Sequence, residues 1–461
     1  MSTGQRKAVH HWVNFSTRFL PFADAASETL PLRRLLRLSL FQVSVGMAMV
    51  MLVGTLNRVM IVELKVPATL VAVMVSLPLL FAPLRALIGF KSDNHRSELG
   101  WRRVPYIWMG TLMQFGGFAI MPFALLVLAG AGQSHNAPAW VGQLGAAVAF
   151  LLVGAGVHTT QTVGLALATD LAPEQDQPKV VGLMYVMLLV GMIMSALVYG
   201  QLLADYTPGN LIQVIQGTAL VTMVLNVVAM WKQEARSRLR KPGTPVEGTF
   251  AQAWASFSQG SHALRRMAVV ALGTMAFTME DVLLEPYGGE ILGMSVASTT
   301  LLTATLAGGG LIGFAWASRA LAQGGEPLRL ARLGAWFGVP AFACVILAAP
   351  WASVWVFGAG VFFIGLGGGL FSHGTLTNTM QMAPKEQVGL ALGVWGAAQA
   401  TAGGVGMALG GILRDLLNLA AGASAGYSVV YGLEILLLLL TMWLIKPLLR
   451  TDNAAKPAKS S

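Results

Sequence analysis

The sequence predicts an all-α, polytopic membrane protein of twelve transmembrane helices arranged as two halves of six. Three observations lead there. Only 11% of the 461 residues are charged while 55% are hydrophobic, too apolar for a soluble domain of ordinary make-up. Val104–Thr169 runs 66 residues, and Leu333–Met380 another 48, without one Asp, Glu, Lys or Arg. A bilayer span takes about 20 mostly apolar residues, so each run holds two spans, turning near Ala137-Pro138 and Ala349-Pro350. The cations, finally, alternate sides once the spans are counted.

The spans are expected at about 36–56, 69–89, 104–130, 140–168, 179–203, 211–231, 267–287, 295–317, 332–349, 351–379, 387–412 and 427–446. With both termini on one side, that side collects 26 of the 30 Lys and Arg residues. Arg58, Lys65 and Arg414 fall opposite, and Arg85 within a span. The positive-inside rule then places both termini in the cytoplasm. The net charge of +10 is thus a topology signal and gives no ground for nucleic-acid binding. The organisation reads as a cytoplasmic segment 1–35, a first half 36–231, a central loop 232–266, a second half 267–446 and a basic tail 447–461. The polar, basic stretch before the first span does not read as a cleavable signal peptide. The single cysteine, Cys344, excludes an internal disulfide and reads as a small buried hydrophobe. The 53 glycines suit helices that approach closely in lipid.

In chain order, Trp12, Phe15, Phe19 and Phe22 recur at helical spacing with Arg18 off the stripe, as in a short amphipathic helix on the membrane surface, its length limited by Pro21. Asn57-Arg58 and Glu63/Lys65 read as interfacial caps at or beyond the end of the first span. His158 in the fourth span and His373 in the tenth occupy corresponding elements of the two halves. A neutral imidazole is a good axial ligand for magnesium in a chlorin, and intramembrane histidine invites a functional reading. A hydrogen bond to a neighbouring helix is the plainer alternative for both. Ala172-Pro173-Glu174-Gln175 after the fourth span is echoed by Ala383-Pro384-Lys385-Glu386-Gln387 after the tenth, which argues for related halves. The seventh span carries Glu280, Asp281 and Glu285, costly in lipid unless paired or wet. Arg85 is a candidate partner for one of them, and a packing salt bridge is the plainer reading. Glu434 in the twelfth span falls in the same class.

Between the second and third spans stands "GFKSDNHRSELGWRR" (89–103). Gly89, Asp93, Gly100, Arg102 and Arg103 resemble the signature of the major facilitator superfamily at that loop. Glycine permits the tight turn; Asp93 can accept hydrogen bonds; Arg102 and Arg103 can pair with acids or helix ends of the other half. The resemblance implies a loop that helps hold the halves in one alternating state. A second, degraded copy, with Gly313, Arg319, Arg329 and Arg332 but no Asp, follows the eighth span.

A narrower resemblance lies around that knot. "LPFADAASETLPLRRLLRLSLFQ" (20–42), "LFQVSVGMAMVMLVGTLNRVMIVEL" (40–64), "PLRALIGFKSDNHRSELGWRRVPYIWMGTLMQFGGFAIMPFAL" (83–125) and "HTTQTVGLALATDLAPEQDQPKVVGLMYVMLLVG" (158–191) look like the PucC/LhaA family of purple phototrophic bacteria, the bacteriochlorophyll delivery branch of that superfamily. The resemblance implies a multi-pass protein of the bacterial inner (intracytoplasmic) membrane that assembles light-harvesting antenna complexes. It implies membrane lipid, antenna polypeptides and bacteriochlorophyll-synthesis enzymes as partners, and bacteriochlorophyll as a transient ligand rather than a covalent cofactor. The alternatives are a proton-coupled secondary transporter of a small solute and an indirect regulator of antenna expression. No Gly-rich phosphate loop, zinc spacing or nucleophile elbow appears in a suitable context, so no enzyme is expected.

Overall fold

The structure, a computed structural model, describes residues 30–80, 88, 92, 100–130, 134, 136–173, 176–234, 262–382 and 388–454, with the backbone alone for 80, 178, 388–393 and 450–454. The aromatic stripe Trp12–Phe22, Arg85, Gly89, Asp93 and the second copy of the Ala-Pro repeat lie outside the described residues.

Twelve helical segments follow in order. They are α1 (Leu32–Glu63), α2 (Ala68–Leu80), α3 (Val104–Leu128), α4 (Ala139–Leu171), α5 (Gln177–Leu202), α6 (Pro208–Met230), α7 (Ala263–Glu290), α8 (Val296–Ala322), α9 (Pro327–Ala348), α10 (Val354–Met382), α11 (Val388–Ala421) and α12 (Ala423–Ala454). Eleven are long and apolar enough to cross a membrane; α2, over its described residues, is shorter and equally apolar. Local chemistry sets several starts. Thr207 accepts a hydrogen bond from the Asn210 amide and Pro208 opens α6, while Ser295 caps α8 through the Ser298 amide, as N-cap side chains and a first-turn proline do.

Two helices depart from the expected spans in ways that matter later. α1 starts at Leu32 and continues to Glu63, well past 56, and widens into π-helical turns over Val50–Leu56 and Val59–Glu63. α7 starts at Ala263 rather than 267 and is broken. An α-helical piece, Ala263–Thr278, leads into a 3-10 turn at Glu280–Val282 and a short helix, Leu284–Glu290. π turns and interrupted helices both free backbone groups and gather at functional positions in membrane proteins.

The packing repeats between halves. α3 lies along α4 as α9 lies along α10; α1 packs on α5 and α6 as α7 packs on α11 and α12. The halves meet chiefly where α2 packs on α11 and α5 on α8. Each half has its own buried core, one around Met60, Phe118 and Phe150, the other around Tyr287, Phe342 and Tyr431. Side chains on the outside are largely apolar, among them Phe123, Trp336, Trp355 and Leu436, as a lipid-facing surface requires. The glycines serve close approach: Gly365 of α10 faces the Leu306 carbonyl of α8, and Gly309 of α8 faces the Phe362 carbonyl. Gly313, part of the expected degraded loop signature, sits inside α8 against Leu366, and Arg329 pairs at 2.7 Å with Glu326 of its own turn. Cys344 is half-buried.

Candidate functional site

Three polar zones lie along the molecule, beginning at the face where α1 starts and α6 ends. Gly100 adopts φ 80°, a conformation open to glycine, and turns the chain toward α3. The first amides of α3, at Arg102, Arg103 and Val104, all donate to the carboxylate of Glu234, at 2.8, 3.0 and 3.0 Å. An acid just past α6 thus satisfies the open N–H end of a distant helix and meets its positive dipole. Beside it, Arg34 of α1 donates to the Gln233 side chain and carbonyl, at 3.0 and 2.8 Å. The end of α6 therefore clamps α1 and α3 together.

Arg102 and Arg103, expected to reach the other half, both pair with Asp170 at the end of α4; Arg103 Nε stands 3.1 Å from it. Arg103 also donates to Ser92 at 2.7 Å. Among the described residues these partners all belong to the first half. The reason is length: α4 runs to Leu171 and delivers Asp170 beside the start of α3, its hairpin partner.

Midway along the bundle, His158 lines a cavity with Met49, Leu52, Val75, Pro78, Phe150 and Met407, between α1, α2, α4 and α11. Its volume, about 20 Å³, suits one water. His373 of α10 is buried, its ring 4.2 Å from Phe314 of α8, which in turn faces Tyr185 of α5 at 6.5 Å. That aromatic row crosses from one half to the other. Among the described residues, the space beside the His158 imidazole is the size of a water and the His373 ring lies against a phenyl ring. The two histidines are not brought to one cavity wall.

The third zone, toward the face where α1 ends and α2 starts, ties the halves together. Asn57 of α1 donates from Nδ2 to the Val282 carbonyl in the break of α7 at 2.7 Å. Arg58 donates to the Met294 carbonyl at 3.1 Å and pairs with Glu63 at 2.6 Å. Thr55 and Thr300 share a hydrogen bond at 3.3 Å. Asp415 of α11 accepts from the Thr69 amide at 2.6 Å, capping α2 across the interface. Arg414 holds Asp415 at 2.8 Å and pairs with Glu290, which also accepts from Tyr427 at 3.0 Å. Glu285 accepts from Thr303 at 2.6 Å and lies against Gly54, where a Cβ would strike its Oε1. Glu280 and Glu285 are buried and Asp281 half-buried. Glu285 is thus held by a threonine against a glycine surface, with the Arg58 charge as an electrostatic neighbour; Arg85, the partner considered for these acids, lies outside the described residues.

Asn57 and Arg58 are the residues that the sequence reading underrates. They are 0% and 3% exposed, members of the inter-half contact rather than caps. A signal was present: "VMIV" continues apolar for four residues after Arg58, so the span had not ended.

The fold and this closure define a polytopic membrane protein of the major facilitator type. Among solved structures it is similar to a bacterial homologue of the human lysosomal transporter Spinster in an inward-facing, unoccupied conformation (TM-score 0.68, 14% identity, covering 93% of this chain and 98% of that one). It is also similar to a bacterial homologue of the iron transporter ferroportin in an inward-facing state (TM-score 0.67, 16% identity, 90% and 98% coverage). Residues 55–453 match the family described as "PUCC protein", and the chain belongs to that family. It is 62% identical to Protein PucC of Rhodovulum sulfidophilum over 438 residues, 94% of this chain and 96% of that protein. It is 59% identical to Protein PucC of Cereibacter sphaeroides over 455 residues, 98% and 99% of the two chains. A more distant relative, 26% identical over 441 residues (93% and 98%), is the Rhodobacter capsulatus protein named "Bacteriochlorophyll synthase 44.5 kDa chain".

Proposed function

We propose that this protein is a membrane assembly factor for bacterial light-harvesting antenna complexes, guiding nascent antenna polypeptides and the bacteriochlorophyll they take up. The observation that carries the reading is family membership along nearly the whole chain, together with a relative whose name refers to bacteriochlorophyll. The cation distribution supports a setting in the bacterial inner (intracytoplasmic) membrane with both termini cytoplasmic. The partners are then membrane lipid, antenna polypeptides and bacteriochlorophyll-synthesis enzymes, with no nucleic acid, no covalent cofactor and no catalytic step. Antenna polypeptides would meet the apolar outer surface, exposed at Phe123, Trp336 and Trp355. A pigment would reach His158 or His373 only after the helices around them part.

The test is purification in mild detergent from pigmented membranes, with an absorption spectrum and identification of co-purifying polypeptides. Bound bacteriochlorophyll or antenna polypeptides support the reading. Their joint absence, with proton-linked solute uptake in liposomes, supports the second reading, a proton-coupled secondary transporter; the transporter-type fold and the buried acids of α7 favour it. An indirect regulator of antenna expression would instead change antenna transcript levels in a deletion strain.

A further inference from the structure

The carboxyls that face α12 take no part in the closure just described. Glu434 is fully buried on α12, and neither of its oxygens has a hydrogen-bond partner among the described residues. The backbone of Glu280 faces its carboxyl, and its electrostatic neighbours are Glu280 and Asp281. Glu280 is itself buried at the break in α7, and its Oε2 also lacks a partner. Tyr431, three residues before Glu434 and so on the same helix face, is fully buried. Its hydroxyl has no hydrogen-bond partner among the described residues, and both glutamates are its electrostatic neighbours. Rings close the site on the remaining sides. Tyr287 stands edge-on to Tyr431 at 5.7 Å and to Tyr427 at 5.3 Å, and Phe342 stacks on Tyr431 at 6.2 Å.

Charged groups on the packed elements do not neutralise it. On α11, Arg414 is taken by Glu290 and Asp415 and sits 4.9 Å over the Tyr427 ring. On α9, the charges Arg329 and Arg332 belong to the first turns, Arg329 paired with Glu326. On α7, Arg265 and Arg266 lie in its first turn, Arg266 donating to Asn378 at 2.8 Å; Glu285 is held by Thr303. Two anions in so dry a place carry a desolvation cost that no described cation repays. One proton between them removes a charge and supplies the donor that the orphaned oxygens lack.

We propose that Glu434, Glu280 and the Tyr431 hydroxyl form a buried proton-binding site in the second half, with the half-buried Asp281 at its edge. The site adjoins Val282 and Glu285, the residues that hold Asn57 and Gly54 of α1, so its occupancy bears directly on the hold between the halves. It stands whatever cargo the protein serves.

Infrared spectroscopy of the full chain in lipid nanodiscs tests this through the protonated-carboxyl stretch and its shift in heavy water. The expected result is a band at neutral pH that is lost in Glu434→Gln or Glu280→Gln, shifted in Tyr431→Phe, and indifferent to replacement of sodium by choline. Retention of the full band in both glutamine variants means that both acids are ionised and overturns the site. A band that appears only when sodium is withdrawn also overturns it, the occupant then being a metal cation. Should both glutamine variants fail to fold, Tyr431→Phe carries the test alone: an unshifted band overturns the proposal.

Discussion

Asn57 donates to the Val282 carbonyl across 2.7 Å, joining the π-helical part of α1 to the break in α7. Two irregular stretches, one from each half, thus satisfy each other's freed backbone and side-chain groups where no water competes. Asn57→Ala strands that carbonyl and is expected to cost about 1–3 kcal/mol. Thermal unfolding in detergent followed by tryptophan fluorescence reads the loss. In a Thr69→Cys background it should also raise labelling at residue 69 by a membrane-impermeant maleimide.

Gly54 offers a sharper steric test. A Cβ there meets Glu285 Oε1 and comes within 3.1 Å of Thr303 Oγ1. Gly54→Ala should therefore push α1 off α7 and α8, at roughly 1–3 kcal/mol for overpacking. Gly308, with nothing within 4 Å of its would-be Cβ, is the control. Gly308→Ala should leave the unfolding temperature unchanged or slightly raised, since alanine favours helix.

Arg414 is the cation that keeps Glu290 and Asp415 in place. Arg414→Ala leaves two acids partly buried without it, and breaking such a pair costs about 3–5 kcal/mol. Because Asp415 also caps α2 through Thr69, the loss should appear as greater protease sensitivity at the α2–α11 contact. The double variant Arg414→Gln/Glu290→Gln should recover part of the stability.

At the start of α3, Arg102 and Arg103 are expected to differ. Arg102 is about a third exposed in its pair with Asp170, so Arg102→Ala should cost less than about 1 kcal/mol and less still at high salt. Arg103 is buried and also bonds Ser92, so Arg103→Ala should lower the unfolding temperature more, with little salt dependence.

His158→Leu and His373→Leu bear on the pigment. With about 20 Å³ beside one ring and Phe314 over the other, neither variant should reduce bacteriochlorophyll absorption in the purified protein. A loss in either would mean that the helices part far enough to admit a macrocycle.

The membrane spans were legible, eleven of them long enough to cross a bilayer over the described residues, because uncharged runs are a property of one chain read in order. So were Glu280, Asp281 and Glu285, since an acid in an apolar run stands out. The closure was not legible. Asn57 and Arg58 look like a boundary when polarity is taken to end a span, and what reverses that is a carbonyl 225 positions away. The pairing of Arg102 with Asp170 rather than with the far half depends on how far α4 extends, a length that no local motif encodes. The break in α7 has a local sign in Pro286, which offers no N–H to the Val282 carbonyl four residues before it; that Asn57 of α1 answers this carbonyl has none.

Glu234 closes the open amides of α3 from 130 residues downstream. A ribosome makes α3 well before that acid, so its first N–H groups are left to water while α4, α5 and α6 emerge. Its entry is completed only when the sixth helix has been threaded and turned back. The first half is therefore closed from its far end: a chain that stops short of Glu234 lacks the acid that α3 is built to meet.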